Sequence, residues 1–410
     1  MSVYQTFAER GFVAQCTDAE ALSDLFDTEQ VLAYIGFDPT ATSLHVGSLI
    51  PILSLVHLQK AGHRPIAVVG GGTGMVGDPS GKTEMRNMLT YEQLNENAVA
   101  IKEQLSRFLD FGPGKAIMVN NADWLVPLNY IEFLRDVGRH FSMNKMLAAE
   151  SVKLRLASES GLSFLEFNYQ LLQAYDFMHL CKDLGCRLQM GGNDQWGNIV
   201  AGVDLTRRML GKTIYGLTFP LITTSTGQKM GKTHAGTVWL DPERTSPYDF
   251  YQYWINTTDD DVVRFLKLFT FLPMERIEEL ARLKGADTRE AKQVLAFEVT
   301  KIVHGEEEAT AAQKAAQAAF GQGGDADEVP SLEIEKTRLE EGVPAFQLFV
   351  EAGLCSSSSE ARRLVKQGGA YVGETRLEAF DQPVSLDMAE EDGAVWLRAG
   401  KKKHRRILPK

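Results

Sequence analysis

The sequence predicts an α/β protein: a Rossmann-like parallel-sheet domain, then an α-helical domain, then a small α+β domain. Strand-like and helix-like segments alternate in the first half, helix-like segments dominate from residue 247, and a Gly-, Asp- and Glu-rich stretch precedes the last mixed segment. A chain of 410 residues is too long for one ordinary core. We predict domains at 1–246, 247–320 and 342–410, with a linker at 321–341.

The first βαβ unit lies close to the N-terminus. Residues 31–37 and 64–69 are predicted strands. Residues 44–61 between them are a predicted helix, with Ser43 as N-cap and Gly62 after its end. Such alternation forms parallel sheets, which bind ligands at the carboxyl ends of their strands.

The later part of the chain is predicted to be mainly helical. The predicted helices cover 163–185 and, after the sheet domain, 247–257, 259–269, 274–283 and 288–305. Between residues 321 and 341 the apolar content is too low for a core, which predicts a linker.

Composition and charge limit the class of protein. Hydrophobic residues make up 44% and charged residues 24%, as in ordinary globular proteins, and the net charge is −11. No uncharged apolar run is long enough for a bilayer, and residues 1–10 lack a signal-peptide pattern. We therefore expect a cytoplasmic protein with neither a membrane nor DNA as partner. The four cysteines lack zinc-ligand spacing, which predicts buried or incidental thiols and no metal site.

A glycine-rich loop at 70–83 follows the second predicted strand. Residues 72–77 have the Gly-x-Gly-x-x-Gly spacing of dinucleotide sites, and the loop is one residue short of an NTPase phosphate loop. Asp78-Pro79 follows the last glycine of that spacing, and a residue before proline disfavours helix, so the dinucleotide match is weak. We expect a mobile polar flap in which Lys82 and Arg86 reach a pyrophosphate; the plain alternative is a surface loop with stray cations.

Two short segments have the residue types that bind nucleotides. His45-Val46-Gly47-Ser48 is predicted in the first turn of a helix, where unpaired N–H groups favour anions. His45 and Thr40 can donate hydrogen bonds to phosphate, and Gly47 leaves room for a flat base. Lys229-Met230-Gly231-Lys232-Thr233 lies in a polar loop, where two lysines three apart can clamp a triphosphate. Either segment alone is weak evidence; their order after a βα sheet predicts ATP chemistry.

These segments resemble the two ATP-binding signatures of class I aminoacyl-tRNA synthetases, and the whole chain resembles the bacterial tyrosyl-tRNA synthetases. The likeness extends over residues 34–40, 72–79, 169–176, 191–198 and 238–242. The first signature usually ends in His or Asn, whereas here it ends in Ser48, which can donate to a ribose with shorter reach.

The helix predicted at 163–185 carries a polar stripe. Tyr169, Gln173 and Asp176 are spaced four and three apart and therefore share a face. From the residues alone, a face of this kind is a pocket wall or simply turns Gln173 and Asp176 to solvent, and solvent is slightly favoured.

The resemblance implies a role for each site residue. Tyr34 and Asp176 would bond the phenol of tyrosine. Tyr169, Gln173 and Asp78 would hold its ammonium group. Gln195 would orient its carboxylate, while Asp194 and Gly192 would bind the ribose. The implied ATP-binding set is Gly36, Asp38, His45, Gly47, Ser48, Gly192, Asp194, Lys229, Met230 and Lys232. The groups implied in catalysis are His45, Thr40, Lys82, Arg86, Lys229, Lys232 and Thr233.

The implied reaction has two steps. The carboxylate of tyrosine attacks the α-phosphate of ATP, and a terminal ribose hydroxyl of tRNA then attacks the adenylate. The first nucleophile is already anionic, so positioning and charge stabilisation are needed rather than a general base. The resemblance also implies Mg²⁺ with the pyrophosphate but without a dedicated protein site. It implies an anticodon-arm role for residues 247–320 and a homodimer across which one tRNA spans.

Residues 343–410 resemble the RNA-binding domain named for the fourth small-subunit ribosomal protein, chiefly through residues 357–372. The tail at 398–410 is basic and contains no acid, which is typical of a polyanion-binding surface or of a solvated disordered tail. The predicted RNA contacts are Arg362, Arg363, Lys366, Lys401, Lys402, Lys403, Arg405 and Arg406.

Three other classes of protein compete with this interpretation. A tryptophanyl synthetase would carry the same signatures, but an indole has no hydroxyl for Tyr34 and Asp176. A dinucleotide-dependent oxidoreductase is supported by the glycine-rich loop alone. A non-catalytic RNA-binding protein would leave both ATP signatures unexplained.

Overall fold

The computed structural model describes residues 2–80, 89–157, 161–225, 227, 230–233, 236–319, 330–390, 392–400 and 403–410, without the side chains of 150, 151, 232, 233 and 319. The chain forms two compact units. The first unit contains Met1–Gly231, Trp239–Asp241 and Val263–Ile277, and the second contains Lys232–Val238, Pro242–Val262 and Glu278–Lys410. Among the described residues, none of the helices combines the length and apolarity that a bilayer crossing needs.

The first unit is built on a six-stranded sheet. Its strands are β1 (Gln15–Cys16), β2 (Leu32–Phe37), β3 (Arg64–Val69), β4 (Ile117–Asn120), β5 (Leu188–Gly192) and β6 (Tyr215–Phe219). The spatial order is β1-β6-β5-β2-β3-β4, with all pairs parallel except β1 with β6. The predicted parallel sheet is confirmed. Its strand order reverses direction between β2 and β5, which is where such sheets bind ligands.

Helices flank this sheet in the first unit. They are α1 (Val3–Arg10), α2 (Ala19–Thr28), α3 (Leu49–Lys60), α4 (Tyr91–Leu105), α5 (Ala122–Leu125), α6 (Tyr130–Asp136), α7 (Met143–Ala148), α8 (Glu150–Leu156), α9 (Phe164–Leu184) and α10 (Trp196–Leu210). Beneath the sheet, Tyr34, Ile66 and Val68 pack with Phe177 and Leu180 in one buried cluster. This packing fixes α9 against the strands that carry the site.

Helix α3 begins later than the sequence predicted. A 3-10 turn covers Val46–Ser48 with His45 as its cap, and the α-helix starts at Leu49. Ser43 is therefore not the cap, and its hydroxyl donates to the carbonyl of Leu44. The reason is Pro51, which is tolerated in a first turn but would remove a backbone hydrogen bond inside a helix that began at residue 44.

Helix α9 matches its prediction from cap to cap. Ser163 and Glu166 form a capping box, and Gly185 ends the helix with φ of 75°. The carboxylate of Glu166 also accepts two bonds of 3.0 Å from Arg155, whose side chain is 1% exposed. These contacts hold the start of the helix that carries the polar stripe.

The predicted helices and a terminal sheet follow along the chain, and the boundaries between the two units fall inside two of these helices, at 262–263 and 277–278. The helical segment has α11 (Pro247–Ile255), α12 (Asp259–Phe269), α13 (Met274–Ala281), α14 (Thr288–His304) and α15 (Glu306–Ala319), and a short hairpin of β7 (Lys232–Thr233) with β8 (Gly236–Thr237) precedes them. The first four helices end within two residues of their predicted ends. The predicted domain limits stay predictions, because the division into units follows other boundaries.

The C-terminal segment mixes short helices and strands as predicted. Its elements are β9 (Ser331–Ile334), α16 (Lys336–Glu341), β10 (Val343–Pro344), α17 (Ala345–Glu351), α18 (Ser358–Lys366), β11 (Ala370–Val372), β12 (Thr375–Arg376), β13 (Pro383–Val384), β14 (Val395–Ala399) and β15 (Lys403–Pro409). Five strands form one sheet in the order β12-β11-β14-β15-β9. The alternative of a disordered tail is wrong for residues 403–409, which form β15.

The linker prediction needs correction over its second half. Residues 331–334 form β9, which pairs in parallel with β15, and 336–341 form α16. Ile334 and Leu339 belong to the buried core of the terminal segment. The average composition of residues 321–341 is acidic, so it did not reveal that a few apolar residues in this stretch are buried. Residues 320–329 lie outside the described part of the chain.

We expect Gly216→Ala to destabilise the first unit. A Cβ atom at this position, the second residue of β6, would overlap Cγ2 of Ile199 on α10. Overpacking of this kind costs about 1–3 kcal/mol. Thermal unfolding should show a lower midpoint for Gly216→Ala, partly restored in the double variant with Ile199→Ala. Gly36→Ala is the matched control, since a Cβ there meets no atom within 4 Å. Equal midpoints for both single variants would contradict this packing argument.

Candidate active site

Two adjoining cavities open at the carboxyl ends of β2 and β5. The inner cavity, of about 180 Å³, is lined by residues that include Tyr34, Gly36, Asp38, Pro51, Gly70, Thr73, Asp78, Asn121, Tyr169, Gln173, Asp176, Gln189, Gly192 and Gln195. The outer cavity, of about 250 Å³, is lined by residues that include Gly36, Asp38, Thr40, Pro51, His45, Gly47, Ser48 and Trp239. Gly36, Asp38 and Pro51 line both cavities. One molecule in each cavity would therefore meet the other across this shared wall.

The deep end of the inner cavity holds buried polar groups that lack partners. The hydroxyl of Tyr34 and the side-chain oxygen of Gln189 have no hydrogen-bond partner among the described residues. Tyr34 is 2% exposed, and its backbone pairs with Gln189 across β2 and β5. A buried polar group without a partner is costly. The deep end is therefore suited to a ligand that brings its own hydroxyl group.

Asp176 stands beside these groups and is held from two sides. Its Oδ2 accepts a 2.9 Å bond from Asn121 Nδ2, and its Oδ1 accepts a 2.7 Å bond from Trp124 Nε1. Asn121 also ties the glycine-rich loop in place, because its Oδ1 accepts 2.8 Å from the backbone nitrogen of Gly72. Of the two alternatives for the polar stripe, the pocket wall is the one that forms, since Asp176 is 4% exposed.

Burial controls the ionisation of both groups at the deep end. Loss of water raises the pKa of Asp176 to about 7, although the bonds from Asn121 and Trp124 act in the opposite direction. Burial, and then the charge of Asp176, raise the pKa of Tyr34 well above its usual value. Tyr34 is therefore a neutral hydroxyl, while Asp176 changes its protonation close to neutral pH.

The opposite end of the inner cavity is an amide–carboxylate network. Gln195 Nε2 donates to Asp78 Oδ2 at 2.7 Å. Asn198 Nδ2 donates to Gln173 Oε1 at 2.9 Å and to Gln195 Oε1 at 3.2 Å. Tyr169 Oη donates to Asp38 Oδ1 at 3.5 Å. Two carboxylates, Asp38 and Asp78, thus line this end of the cavity, and hydrogen bonds fix the side-chain amides beside them. Such an arrangement suits an ammonium group.

The two predicted signature segments meet at the outer cavity. A Cβ atom on Gly231 would lie 3.3 Å from the backbone nitrogen of Gly47, and one on Gly47 would lie 3.6 Å from the carbonyl oxygen of Met230. His45 Nδ1 accepts 3.0 Å from the backbone nitrogen of Gly47. A Cβ on Gly47 would come within 2.9 Å of that ring nitrogen, so a larger residue here would displace the His45 ring.

For several predicted site residues, the structure gives no side-chain position or places the residue outside both cavities. Lys82, Arg86 and Lys229 lie outside the described residues, and only the backbone of Lys232 and Thr233, in β7, is described. Asp194 does not line either cavity, but a Cβ on Gly192 would lie 2.6 Å from its Oδ1. Within the described ranges, no three His, Cys, Asp or Glu side chains cluster closely enough to hold a metal ion.

Predicted RNA contacts differ sharply in exposure. The side chains of Arg362, Arg363, Lys366 and Lys403 are exposed, while Lys401 and Lys402 lie outside the described residues. Arg405 bonds Asp249 at 2.7 Å and is 13% exposed. Arg406 bonds Asp392 at 3.0 Å and is 3% exposed. Both guanidinium groups are paired inside the protein, so RNA would have to compete with these bonds, and the RNA contacts at Arg405 and Arg406 stay a prediction.

Sequence reasoning missed four residues of the site: Asn121, Trp124, Gln189 and Asn198. Asn121 directly follows β4, so the rule that ligands bind at carboxyl ends of parallel strands points to it. Gln189 is a polar residue inside the otherwise apolar start of β5, which is a second usable signal. Trp124 and Asn198 have no comparable signal, because their roles depend on how α5 and α10 pack.

Comparison with known families gives the class of the protein, a class I tRNA synthetase. Residues 27–321 match the family model described as class I tRNA synthetases (W and Y), and residues 322–407 match the tyrosine–tRNA ligase SYY-like C-terminal domain. The chain is 60% identical to a tyrosine–tRNA ligase of Desulfatibacillum aliphaticivorans over 100% of this chain and 99% of the relative. A second such ligase, from Caldanaerobacter subterraneus, is 55% identical over the full length of both chains.

A solved structure agrees with these sequence relatives. The C-terminally truncated mitochondrial tyrosyl-tRNA synthetase of Aspergillus nidulans superposes with a TM-score of 0.70 at 31% identity, covering 78% of this chain and 94% of that one. The chain belongs to the tyrosine–tRNA ligase family of class I tRNA synthetases. The resemblance drawn from the motifs is thereby confirmed, and the oxidoreductase alternative is wrong.

We expect the stability of the ligand-free protein to depend on pH through Asp176. Its folded-state pKa of about 7 lies above the ordinary value of 3.8, so the folded protein holds a proton that the unfolded chain releases. This group must therefore lower the free energy of unfolding as pH rises from about 4 to 7. The thermal midpoint of the wild type, relative to Asp176→Asn, should fall across that window and level off above it. Asp123→Asn, at an exposed position, is the control. Parallel profiles for wild type and Asp176→Asn would rule out this linkage.

Proposed function

We propose that the chain activates tyrosine with ATP and then transfers it to the 3′-terminal ribose of tyrosine tRNA. The observation that carries the choice of amino acid is the pair of unpartnered oxygens, Tyr34 Oη and Gln189 Oε1, beside the buried carboxylate of Asp176. A phenol entering there can bond Tyr34 and Asp176. A phenylalanine ring would leave these groups buried and unbonded, which is costly. An indole has no hydroxyl at this end, which argues against tryptophan.

The rest of tyrosine fits the amide–carboxylate end of the same cavity. Its ammonium group is held by Tyr169, Gln173 and Asp78, whose polar atoms line the cavity. Gln195 orients the substrate carboxylate, and its bond to Asp78 fixes its own amide. The carboxylate then faces the wall of Gly36 and Asp38 that the two cavities share.

ATP occupies the outer cavity in the proposed complex. Because Nδ1 of His45 accepts from Gly47, the neutral ring carries its proton on Nε2, which can donate to a phosphate oxygen. Thr40 and Ser48 line the same cavity and supply hydroxyls. Gly192 and Asp194 bind the ribose. Lys82, Arg86, Lys229, Lys232 and Thr233 remain the predicted ligands of the pyrophosphate.

The first step is in-line displacement at phosphorus. A carboxylate oxygen of tyrosine forms a bond to the α-phosphorus, the bond from that phosphorus to the bridging oxygen breaks, and pyrophosphate leaves with the electron pair. Preorganised donors stabilise the charge that develops. In the second step a ribose hydroxyl of tRNA attacks the carbonyl carbon, the bond from that carbon to the phosphate oxygen breaks, and AMP departs with the electron pair while its phosphate accepts the hydroxyl proton.

Magnesium belongs to the nucleotide in this proposal. Asp38 is the carboxylate among the described residues that line the outer cavity, so the ion would keep phosphate oxygens and water as most of its ligands. It would neutralise charge on the leaving pyrophosphate.

The cytoplasm remains the predicted location of the protein.

The decisive experiment is tyrosine-dependent exchange of pyrophosphate into ATP, comparing wild type with Tyr34→Phe. Removing one neutral hydrogen bond costs roughly 0.5–1.5 kcal/mol. We expect the KM for tyrosine to rise about 2- to 13-fold in Tyr34→Phe, with little change in kcat and weaker discrimination against phenylalanine. Tyr91→Phe, at an exposed position on α4, is the matched control. Exchange that proceeds without tyrosine, or that tryptophan supports better, would refute the proposed function.

A homodimer is also part of the proposal. Ten of the sixteen exposed large apolar side chains among the described residues fall between 126 and 165: Val126, Tyr130, Ile131, Leu134, Met143, Leu147, Leu154, Leu156, Phe164 and Leu165. A concentration of apolar surface in so short a segment is typical of a protein interface. It supports association of two copies through α6 to α9.

We expect Ile131→Asp to shift the protein towards a monomer, because it would bury a charge in that interface. Ile131 is 69% exposed, so the single chain should fold normally. Sedimentation velocity over a concentration series measures the shift. Val99→Asp, at a 59% exposed position outside the segment, is the control. The interface assignment fails if wild type sediments as a monomer or if Ile131→Asp sediments like wild type.

A further inference from the structure

A cluster of two aromatic rings and one arginine lies in the terminal segment, where Phe380 and Arg362 are exposed and Phe346 is half-buried. Phe346 on α17 and Phe380 after β12 stand with ring centroids 6.0 Å apart at 67°. The guanidinium carbon of Arg362, on α18, lies 4.6 and 4.9 Å from the two centroids. We call these three residues the aromatic platform. Phe380 is 40% exposed, and among described residues after 221 no other large apolar side chain is so exposed.

The aromatic platform is held in place by the backbone. The nitrogen of Phe346 donates to the carbonyl of Phe380 at 2.9 Å, and that of Ala345 donates to Gln382 at 2.9 Å. The loop that carries Phe380 is therefore fixed to the start of α17. Phe380 keeps two fifths of its surface in water although its backbone is fixed, so the ring surface that Arg362 leaves uncovered is preorganised for a ligand.

The charges around the aromatic platform are arranged asymmetrically. Arg363 and Lys366 are exposed on the same helix as Arg362. Arg376 adds a further cation. Its guanidinium group lies against Gly368, just after the end of α18, because a Cβ atom on that glycine would collide with it. On the other side, Glu378 and Asp381 flank Phe380 in sequence and are exposed. Phosphates are thus attracted to α18 and repelled from the loop of Phe380. A polyanion on this surface must present something other than phosphate to the exposed ring.

We propose that the aromatic platform stacks one unpaired base of an RNA whose phosphates follow α18. Unpaired bases stack on aromatic rings and on arginine planes, and every base offers such a face. Identifying that RNA as the tRNA substrate rests on the proposed function. The stacked base is a separate claim, which concerns a single nucleotide and three named side chains.

The test is a set of binding cycles with tRNA molecules that each lack one unpaired base. Wild type, Phe380→Leu and Phe380→Tyr are compared by direct binding at fixed salt. Loss of a base–aromatic stack should weaken binding roughly 5- to 150-fold. We expect Phe380→Leu to lose affinity for intact tRNA, and Phe380→Tyr to keep it. One abasic tRNA should bind wild type and Phe380→Tyr more weakly, yet bind Phe380→Leu no worse than intact tRNA does.

Lys366→Gln serves as the comparison for a phosphate contact. It should weaken binding of every tRNA alike and reduce the salt dependence by about one ion. The proposal is overturned if Phe380→Leu binds intact tRNA like wild type, or if every abasic tRNA loses the same factor with Phe380→Leu as with wild type. Tyrosine-dependent exchange is measured in parallel. Its absence in wild type would refute the proposed function without altering the binding result.

Discussion

The carboxylate of Asp176 constrains how the first unit is built around it. A charge that is 4% exposed must be hydrogen-bonded or neutralised, and the chain does both, with two donors and a pKa of about 7. The donors come from the end of β4 and from α5, and the oxygens that face the same cavity come from β2 and β5. The sheet brings these strand ends together, and α9 packs against it through Phe177 and Leu180, so all of these groups stand around one carboxylate.

The same geometry explains why there are two cavities and not one. Strand β2 lies between β3 and β5, so its end separates the strands that run to either side. Gly36 and Asp38 stand at this end and belong to both cavities. A side chain at residue 36 would project into the open space beside the wall that the two cavities share. In the proposed reaction, the two substrates therefore meet at this shared wall.

The fold and much of the site follow from sequence patterns that are local. Strand β3 and helix α9 were predicted within one residue, because apolar runs and caps are encoded next to one another. Helix α3 was predicted to begin too early, at residue 44 instead of Leu49. The apolar pattern continues on both sides of Pro51, but a helix tolerates proline only in its first turn. The roles of Trp124 and Asn198 could not be predicted, because they depend on distant packing. Tyr34 and Asp176 were reached only through resemblance; from periodicity alone, solvent was slightly preferred for Asp176.

At the basic end of the chain, the number of positive residues does not predict which of them are free to bind RNA. The contacts of each side chain are more informative. Arg405 and Arg406 are neighbours in β15 and differ little in sequence context, yet one pairs with Asp249 and the other with Asp392. Arg362 belongs to the same predicted set, but its guanidinium group lies over two rings at the surface. An arginine with a carboxylate partner has its charge compensated within the fold. An arginine on an exposed aromatic face keeps both its charge and a flat surface for a ligand. Net charge does not distinguish an arginine paired with a carboxylate from one that lies on an aromatic ring. Candidate RNA contacts must therefore be chosen by the contacts that each arginine or lysine makes within the protein.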